Sequence, residues 1–137
     1  MKRSSLLQGL AIGLAVLLLS AAHGAASPAS AQSNSYDIYV DVANPQCSDQ
    51  NPGTERLPLC TIQAAADRAT PGAVIHVRKG VYREMVRVRT SGTAGALIKF
   101  VTDNEERVVI ASPGEAGFDL YDVQYIKIHG FEITGAP

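Results

Sequence analysis

The stretch IKIHGFEI at Ile126–Ile133 decides the fold of this chain. Its apolar residues occupy even positions before Gly130 and odd positions after it. Successive side chains of a strand point to opposite faces, so a straight strand here would bury one set and expose the other. A glycine permits a bulge or corner at which the chain turns and keeps one side buried. The pattern therefore predicts a chain that winds around an interior, as in a solenoid.

Similar β-rich stretches recur at Ile75–Val77, Leu97–Phe100 and Ile126–Ile128. They lie about 22 and then about 29 residues apart, which is within the period of solenoid repeats. The Asn-Gly and Asp-Gly pairs that favour short hairpins are missing from the sequence. Runs with strand-like composition predict an all-β architecture. These runs are Tyr36–Val42, Val74–Val77, Tyr82–Val88, Leu97–Val101, Val108–Ile110, Phe118–Leu120 and Tyr125–Ile133.

One segment has helical periodicity, from Thr61 to Thr70. Thr61 is a suitable N-cap, and Pro71 followed by Gly72 would end the helix. The apolar residues of the segment form one narrow stripe at helical spacing, which consists of Ile62, Ala65, Ala66 and Ala69. Because these side chains are small, we expect the helix to lie close against the end or face of the sheets.

Residues 1–31 have the three-part layout of a secretory signal peptide. Two basic residues open the chain, the apolar run Leu6–Leu19 follows, and small residues lead to Ala31. We expect cleavage after Ala31, with a cut near Ala25 as the alternative. An uncleaved membrane anchor is the other interpretation, but the run is short of the ~20 residues that span a bilayer. Residues 32–137 are therefore expected to be secreted or at the cell surface, with no stable membrane insertion.

Cys47 and Cys60 both lie in the part that would be exported, where an oxidising compartment favours a disulfide. The segment between them is rich in turn formers, and closing it would contribute about 3 kcal/mol in the chain-entropy model. Free thiols or a metal pair are the alternatives. Asp49 and Asn51 could be calcium ligands, but calcium needs six to eight oxygens. Such side chains beside Pro-Gly mainly cap turns, and we favour that interpretation.

The composition is that of a globular chain, with 46% hydrophobic and 18% charged residues. This excludes a disordered chain, and a net charge of −1 excludes a strongly basic nucleic-acid binder. The sequence contains no GxSxG, HExxH or P-loop motif. Motifs therefore identify no catalytic residue, and the catalytic residues stay unknown at this stage.

The ordered set of segments resembles the N-terminal part of secreted right-handed parallel β-helix proteins of the pectate-lyase-like superfamily, including the domain of unknown function found at their start. The segments that carry the resemblance are Tyr39–Asp41, Asp49–Thr54, Pro58–Ala65, Pro71–Val77, Gly80–Glu84, Ser91–Phe100 and Val123–Gly135. The resemblance implies two to three coils, with the N-terminal end capped by the short helix. Such proteins have many more coils, so we interpret the chain as truncated or partial.

Family enzymes that cleave uronate polysaccharides use calcium, held by acidic clusters, and a lysine or arginine base. Asp119 and Asp122 are the nearest approach to such a cluster, and we expect them to cap turns instead. Lys79, Lys99 and Lys127 are possible bases, but outward solvated positions are the favoured interpretation. No metal or cofactor is therefore expected in this segment, although Ca²⁺ is possible in the full-length family enzymes.

A local basic group could line one outer face and attract an acidic glycan. It consists of Arg78, Lys79, Arg83, Arg87 and Arg89. A solvated face, paired in part with Glu84, is the favoured alternative. His76 and His129 lie within predicted strands and are expected to be packing or surface residues.

These observations predict a secreted β-helix domain of a polysaccharide-acting, pectate-lyase-like protein, inactive as this segment. Its partner would be a polysaccharide, with an acidic one among the possibilities. A non-catalytic glycan-binding or adhesion module is the first alternative, and an inactive remnant is the second.

Overall fold

The computed structural model describes residues 36–103, 106–114 and 116–135, and the signal peptide predicted at 1–31 lies outside them. All described residues belong to one compact unit, Ala31–Pro137. The described part contains one helix and nine strands: β1 (Tyr36–Val40), α1 (Ile62–Arg68), β2 (Ala73–Val77), β3 (Gly80–Tyr82), β4 (Val86–Arg87), β5 (Ile98–Thr102), β6 (Val108–Ser112), β7 (Phe118–Asp119), β8 (Ile126–His129) and β9 (Phe131–Gly135). No helix among these residues is long and apolar enough to cross a membrane.

The strands form three sheets in which every pairing of neighbouring strands is parallel. The sheets have the orders β1-β2-β5-β8, β3-β6-β9 and β4-β7. As the chain proceeds from β2, it visits the three sheets in turn and then returns to the first. This is the arrangement of a parallel β-helix, and it confirms the mostly β, winding architecture predicted from the sequence.

Apolar side chains from successive windings stack inside the three sheets. In the first sheet the register aligns Ile38, Ile75, Phe100 and Ile128. Phe100 also contacts Phe118 edge to face, with ring centroids 5.4 Å apart. Aromatic pairs of this geometry contribute about 0.5–1.5 kcal/mol beyond the area that they bury. The interior therefore joins all three sheets through one continuous core.

The corner predicted at Gly130 is confirmed. Gly130 separates β8 from β9 and has a φ of +92°, a conformation that L side chains rarely adopt. Ile126 and Ile128 pack against the core before the corner, as Phe131 does after it. Ile133 was expected inside but is 51% exposed. The reason is that β9 pairs with β6 alone among the described strands, so nothing described covers its other side.

The run Tyr82–Val88 was predicted as one strand, and the structure divides it. β3 ends at Tyr82 and β4 begins at Val86, because the chain turns a second corner between them. No glycine marks this corner, and the buried residues Tyr82, Val86 and Val88 keep even positions on both sides of it. The predicted strand end at Leu120 is also wrong, since β7 ends at Asp119 and Leu120 is exposed.

The helix was predicted correctly in position and in buried face. The hydroxyl oxygen of Thr61 accepts a hydrogen bond from the backbone N–H of Ala64 at 3.2 Å, as an N-cap should. All four residues of the predicted stripe are buried. The helix packs beside β1, β2 and β4, where alanine side chains allow a close approach.

The predicted disulfide between Cys47 and Cys60 is present, with Cα atoms 5.0 Å apart. The bonded loop covers the free edge of β1. Leu59 is fully buried and forms a parallel bridge with Val40. The backbone N–H of Leu59 also donates to the carbonyl of Tyr39 at 2.9 Å. The loop thereby supplies backbone partners to a strand edge that would otherwise be open.

Asp49 and Asn51 have structural roles in this loop, although not the expected ones. One carboxylate oxygen of Asp49 accepts the backbone N–H groups of Cys60 and Thr61, each at 3.0 Å. The carboxylate thus holds the chain at the start of the helix rather than capping its own turn. The side-chain amide of Asn51 donates to the carbonyls of Gln46 and Pro58. Both side chains therefore connect the two sides of the loop.

Glu84 lies in the corner between β3 and β4 and binds the start of the helix. Its two carboxylate oxygens accept the backbone N–H groups of Ile62 at 2.9 Å and Gln63 at 2.8 Å. Glu84 was expected to pair with the basic group, but no described ion pair joins them, so this expectation is wrong. Burial raises the pKa of the Glu84 carboxyl above its ordinary value, and the two hydrogen bonds oppose this only in part.

We expect the variant Glu84→Gln to become more stable relative to the wild type as the pH rises from about 4 to about 7. Because the pKa of Glu84 is higher in the folded state than in the unfolded state, ionisation of its carboxyl disfavours folding. The wild type therefore has its full stability below the ordinary pKa of 4.5 and loses part of it as the pH rises through the folded-state pKa. Urea unfolding of both proteins across this range measures the difference. The trend should persist at high salt, because desolvation is not screened. A constant or falling difference would contradict the assignment.

Candidate functional site

The basic group predicted from the sequence does not line one face. Arg78 and Lys79 follow β2, whereas Arg87 lies in β4 and belongs to a different sheet. The Arg78 guanidinium pairs with Glu55 at 2.7 Å and lies 3.7 Å from the carboxylate of Asp103. The chain passes through β3 and turns into β4 between these residues, so the winding separates basic side chains that are close in the sequence. Part of this group is therefore neutralised locally, as the solvated-face interpretation expected.

Two members of the group remain together on the outer side of the β4-β7 sheet. Arg87 is paired in register with Asp119 of β7, and Arg87 is exposed. Arg89 extends from the end of β4, and its guanidinium lies 3.3 Å from a carboxylate oxygen of Asp119. On the other edge of β4, the side-chain amide of Gln63 accepts the N–H of Arg87 at 2.7 Å and donates to its carbonyl at 3.1 Å. Both edges of β4 are therefore occupied.

Asp119 also positions the loop that follows β7. Its second carboxylate oxygen accepts the backbone N–H of Tyr121 at 3.2 Å, which confirms the predicted turn-capping role of Asp119. The Tyr121 side chain is 82% exposed. The same carboxylate therefore connects an arginine and an outward tyrosine. We call the group Arg87, Arg89, Asp119 and Tyr121 the arginine–tyrosine surface.

The loop beneath Tyr121 is held in an uncommon backbone conformation. Asp122 and Tyr125 both have a φ of +57°, and neither is glycine. Backbone hydrogen bonds to the preceding winding hold the loop, from Gly92 N–H to the carbonyl of Gln124 at 3.0 Å and from Ile98 N–H to the carbonyl of Tyr125 at 3.1 Å. Residues kept in sparsely populated conformations cluster at binding sites, where surrounding contacts hold them. The backbone that carries Tyr121 is therefore held at both ends, by Asp119 before it and by the preceding winding after it.

The chemistry of this surface suits a sugar. The face of an aromatic ring is electron-rich and attracts the C–H groups of a sugar ring. Guanidinium groups donate charge-assisted hydrogen bonds to carboxylates or hydroxyls. Asp119 accepts bonds from Arg89 and from the backbone of Tyr121, so its role is to position both groups.

His76 has a different environment, on the outer face of the first sheet. Its Nδ1 lies 2.8 Å from Asp103 and its Nε2 lies 3.1 Å from Asp37. Its ring stacks on Tyr39, with centroids 4.9 Å apart. Both ring nitrogens are engaged, so His76 packs on the surface as predicted. Sequence reasoning missed these partners because they come from the windings before and after that of His76.

The remaining predicted positions lie on the surface. His129 is exposed on β8, and Lys99 and Lys127 are outward residues of β5 and β8. Among the described residues, no group of three or more histidine, cysteine or acidic side chains could hold a metal ion. Asp119 and Asp122 are thus part of no such cluster within the described ranges.

No family model matches the chain. The uncharacterized protein YwoF of Bacillus subtilis is 37% identical over 92 residues, which cover 67% of this chain and 19% of YwoF. Pectate lyase PEL9 of Emericella nidulans is 32% identical over 119 residues, which cover 74% of this chain and 28% of the lyase. The chain therefore spans less than a third of the length of these two relatives.

Solved structures give the same fold. XylC in complex with xylose is 33% identical and superposes with a TM-score of 0.50, covering 54% of this chain and 11% of XylC. The GH136 lacto-N-biosidase of Eubacterium ramulus is 20% identical with a TM-score of 0.64, covering 74% of this chain and 21% of that enzyme. The chain thus has a pectate-lyase-like β-helix fold, and the pectate lyase, the xylose complex and the lacto-N-biosidase that it is similar to are carbohydrate-related.

Proposed function

We propose that the chain is part of a secreted protein that acts on polysaccharide, and that the arginine–tyrosine surface binds the glycan. The observation that carries this proposal is the 82% exposure of Tyr121 on a loop with two left-handed non-glycine residues. A large exposed ring gains nothing from folding, whereas a ring on a backbone that is already held offers a sugar a platform at a reduced ordering cost. The names of the pectate lyase and of the xylose complex support a carbohydrate partner.

We further propose that the chain forms the start of a right-handed β-helix, corresponding to the domain of unknown function at the N-terminus of such proteins. In this proposal the helix caps the end of the stack. Its contacts with β1 and β4 support this role, as do the bonds of Gln63 to the outer edge of β4. The segment itself would need no cofactor, and any Ca²⁺ would bind to coils beyond it.

The alternative is a non-catalytic glycan-binding or surface module. The specific observation in its favour is the engagement of Asp119, whose two oxygens already accept bonds from Arg89 and Tyr121. A carboxylate used in this way orients binding groups and is poorly placed to move a proton. Release of sugar from polygalacturonate or xylan by the chain would favour the enzyme, and binding without release would favour the module.

We expect Tyr121→Ala and Arg89→Gln each to weaken binding of oligogalacturonate or xylo-oligosaccharide about tenfold, a loss of about 1.4 kcal/mol. The reason is loss of the ring platform in one variant and of the charge-assisted hydrogen bonds in the other. Isothermal titration calorimetry measures both. Val81→Ala is the matched control, since Val81 is 49% exposed but lies in the β3-β6-β9 sheet. Unchanged affinity in both variants, or no binding of either sugar to the wild type, would refute the proposal.

A further inference from the structure

The loop between the two cysteines has an exposed tip that contains a basic residue. The tip consists of residues 54–57, all four of which are exposed, and Arg56 is among them. Leu57, which follows Arg56, is 42% exposed. Within residues 36–103, 106–114 and 116–135, no other run of four exposed residues contains a lysine or an arginine. Exposed loop tips are preferred sites of proteolytic cleavage, so this tip is a candidate site for a protease that recognises a basic side chain.

The chain on both sides of the tip is bound to one residue of β1. Before the tip, the carbonyl of Gly53 accepts the backbone N–H of Tyr39 at 2.8 Å. After the tip, the backbone N–H of Leu59 donates to the carbonyl of Tyr39 at 2.9 Å. The disulfide between Cys47 and Cys60 closes the same loop a second time. Both sides of the loop are therefore held without any help from the peptide bonds of the tip.

The tip itself has few described contacts with the rest of the protein. The Glu55 carboxylate pairs with the guanidinium of Arg78 at 2.7 Å, but the Glu55 side chain is 65% exposed. Water and salt screen such a pair, so it contributes little to stability. Within the tip, the backbone N–H of Leu57 donates to the hydroxyl of Thr54 at 3.3 Å. Among the described ion pairs none includes Arg56. The tip can therefore be drawn out of the loop without disturbing the core.

The other exposed basic residues of the described ranges are held more firmly. Each other exposed arginine borders directly on a residue that is at most 2% exposed, and these neighbours are Ala69, Tyr82, Val86, Val88 and Val108. Lys127 lies in β8, which is paired with β5. The backbone N–H of Lys79 donates to the carboxylate of Glu106 at 2.8 Å. Cleavage requires local opening of the segment around the bond, and this opening disturbs the least structure at Arg56.

We propose that the peptide bond between Arg56 and Leu57 is a site of limited proteolysis by a serine protease that accepts arginine before the cleaved bond. A carboxylate in the specificity pocket of such a protease pairs with the guanidinium. Water adds across the amide bond, so Arg56 gains a carboxylate and Leu57 gains an amino group. The two pieces stay joined, because the cut lies between Cys47 and Cys60 and because β1 remains paired with β2. The site does not depend on the arginine–tyrosine surface.

The test is digestion of the folded, oxidised protein with a small amount of trypsin, followed by mass spectrometry. We expect the first cut within residues 36–135 to follow Arg56 and to give two pieces that separate only after reduction. Arg56→Gln should slow the first cut about tenfold. Arg83→Gln is the matched control, since it removes the same charge from an exposed position beside the buried Tyr82, and its first cut should be as fast as that of the wild type.

Two further readouts test whether the tip is a separate, weakly held segment. Glu55→Gln should be cut faster than the wild type, because its ion pair with Arg78 is lost. The cleaved, oxidised protein should keep the circular dichroism spectrum of the intact protein and melt within about 5 °C of it. The proposed site is wrong if trypsin cuts first elsewhere in residues 36–135 or leaves them intact. It is also wrong if Arg56→Gln is cut as fast as the wild type, or if cleavage unfolds the oxidised protein.

Discussion

Replacing Cys47 and Cys60 together by alanine is expected to lower the free energy of unfolding by about 3 kcal/mol. The bond closes a loop with a sequence separation of 13 residues, and opening it restores the freedom of that loop in the unfolded chain. The same loop carries Leu59 onto the edge of β1 and Asp49 onto the start of the helix. Urea unfolding under non-reducing conditions measures the loss.

The reduced wild type is the matched control for this variant. It keeps both sulfurs and lacks only the bond, so its unfolding midpoint should fall close to that of the double variant. If the variant were as stable as the oxidised wild type, the loop would be ordered without its cross-link. The role assigned to the disulfide at the edge of β1 would then be wrong.

Gly130→Ala is expected to lower the free energy of unfolding by about 2–3 kcal/mol. An alanine at this left-handed φ of +92° loses about 1–2 kcal/mol in backbone energy. Its Cβ would also lie under 3.0 Å from the side-chain oxygen of Thr102 on the neighbouring winding. The corner at Gly130 places β9 beside β6, so strain at this residue is expected to disturb the pairing of these two strands. Chemical denaturation measures the loss.

Two companion variants separate the causes of this loss. Thr102→Ala combined with Gly130→Ala should recover part of the stability, because it removes the oxygen but not the backbone strain. Gly95→Ala should change stability by less than about 0.5 kcal/mol, since a Cβ there meets nothing within 4 Å. Equal losses for Gly95→Ala and Gly130→Ala would show that the corner has no special requirement for glycine.

Most of the fold could be predicted because its signals are local. The change of parity at Gly130, the small-residue stripe after Thr61 and the turn-rich loop between the cysteines each depend on neighbouring residues. The corner at Arg83–Met85 was missed because no glycine or proline marks it and the apolar residues keep even positions on both sides of it. Glu84 lies in this corner, and its carboxylate binds a helix about 20 residues earlier in the chain, a contact that no local pattern reveals.

The candidate site could be predicted only in part. Arg87, Arg89 and Asp119 were selected from the sequence, but as members of separate groups. Tyr121 was not selected, because nothing in the local pattern distinguishes an exposed tyrosine from a buried one. Its exposure results from the end of β7 at Asp119 and from the left-handed residues of the loop.

The sequence by itself determined most of the side chains that face inward, where the helix begins and that the two cysteines pair. Only the tertiary structure decided which outward side chains meet. Lys99 lies opposite Lys127, and His76 contacts Asp103, because parallel windings of unequal length come into register. The physical reason is that side-chain alternation follows from the geometry of a single strand, whereas register depends on how the cores of successive windings pack.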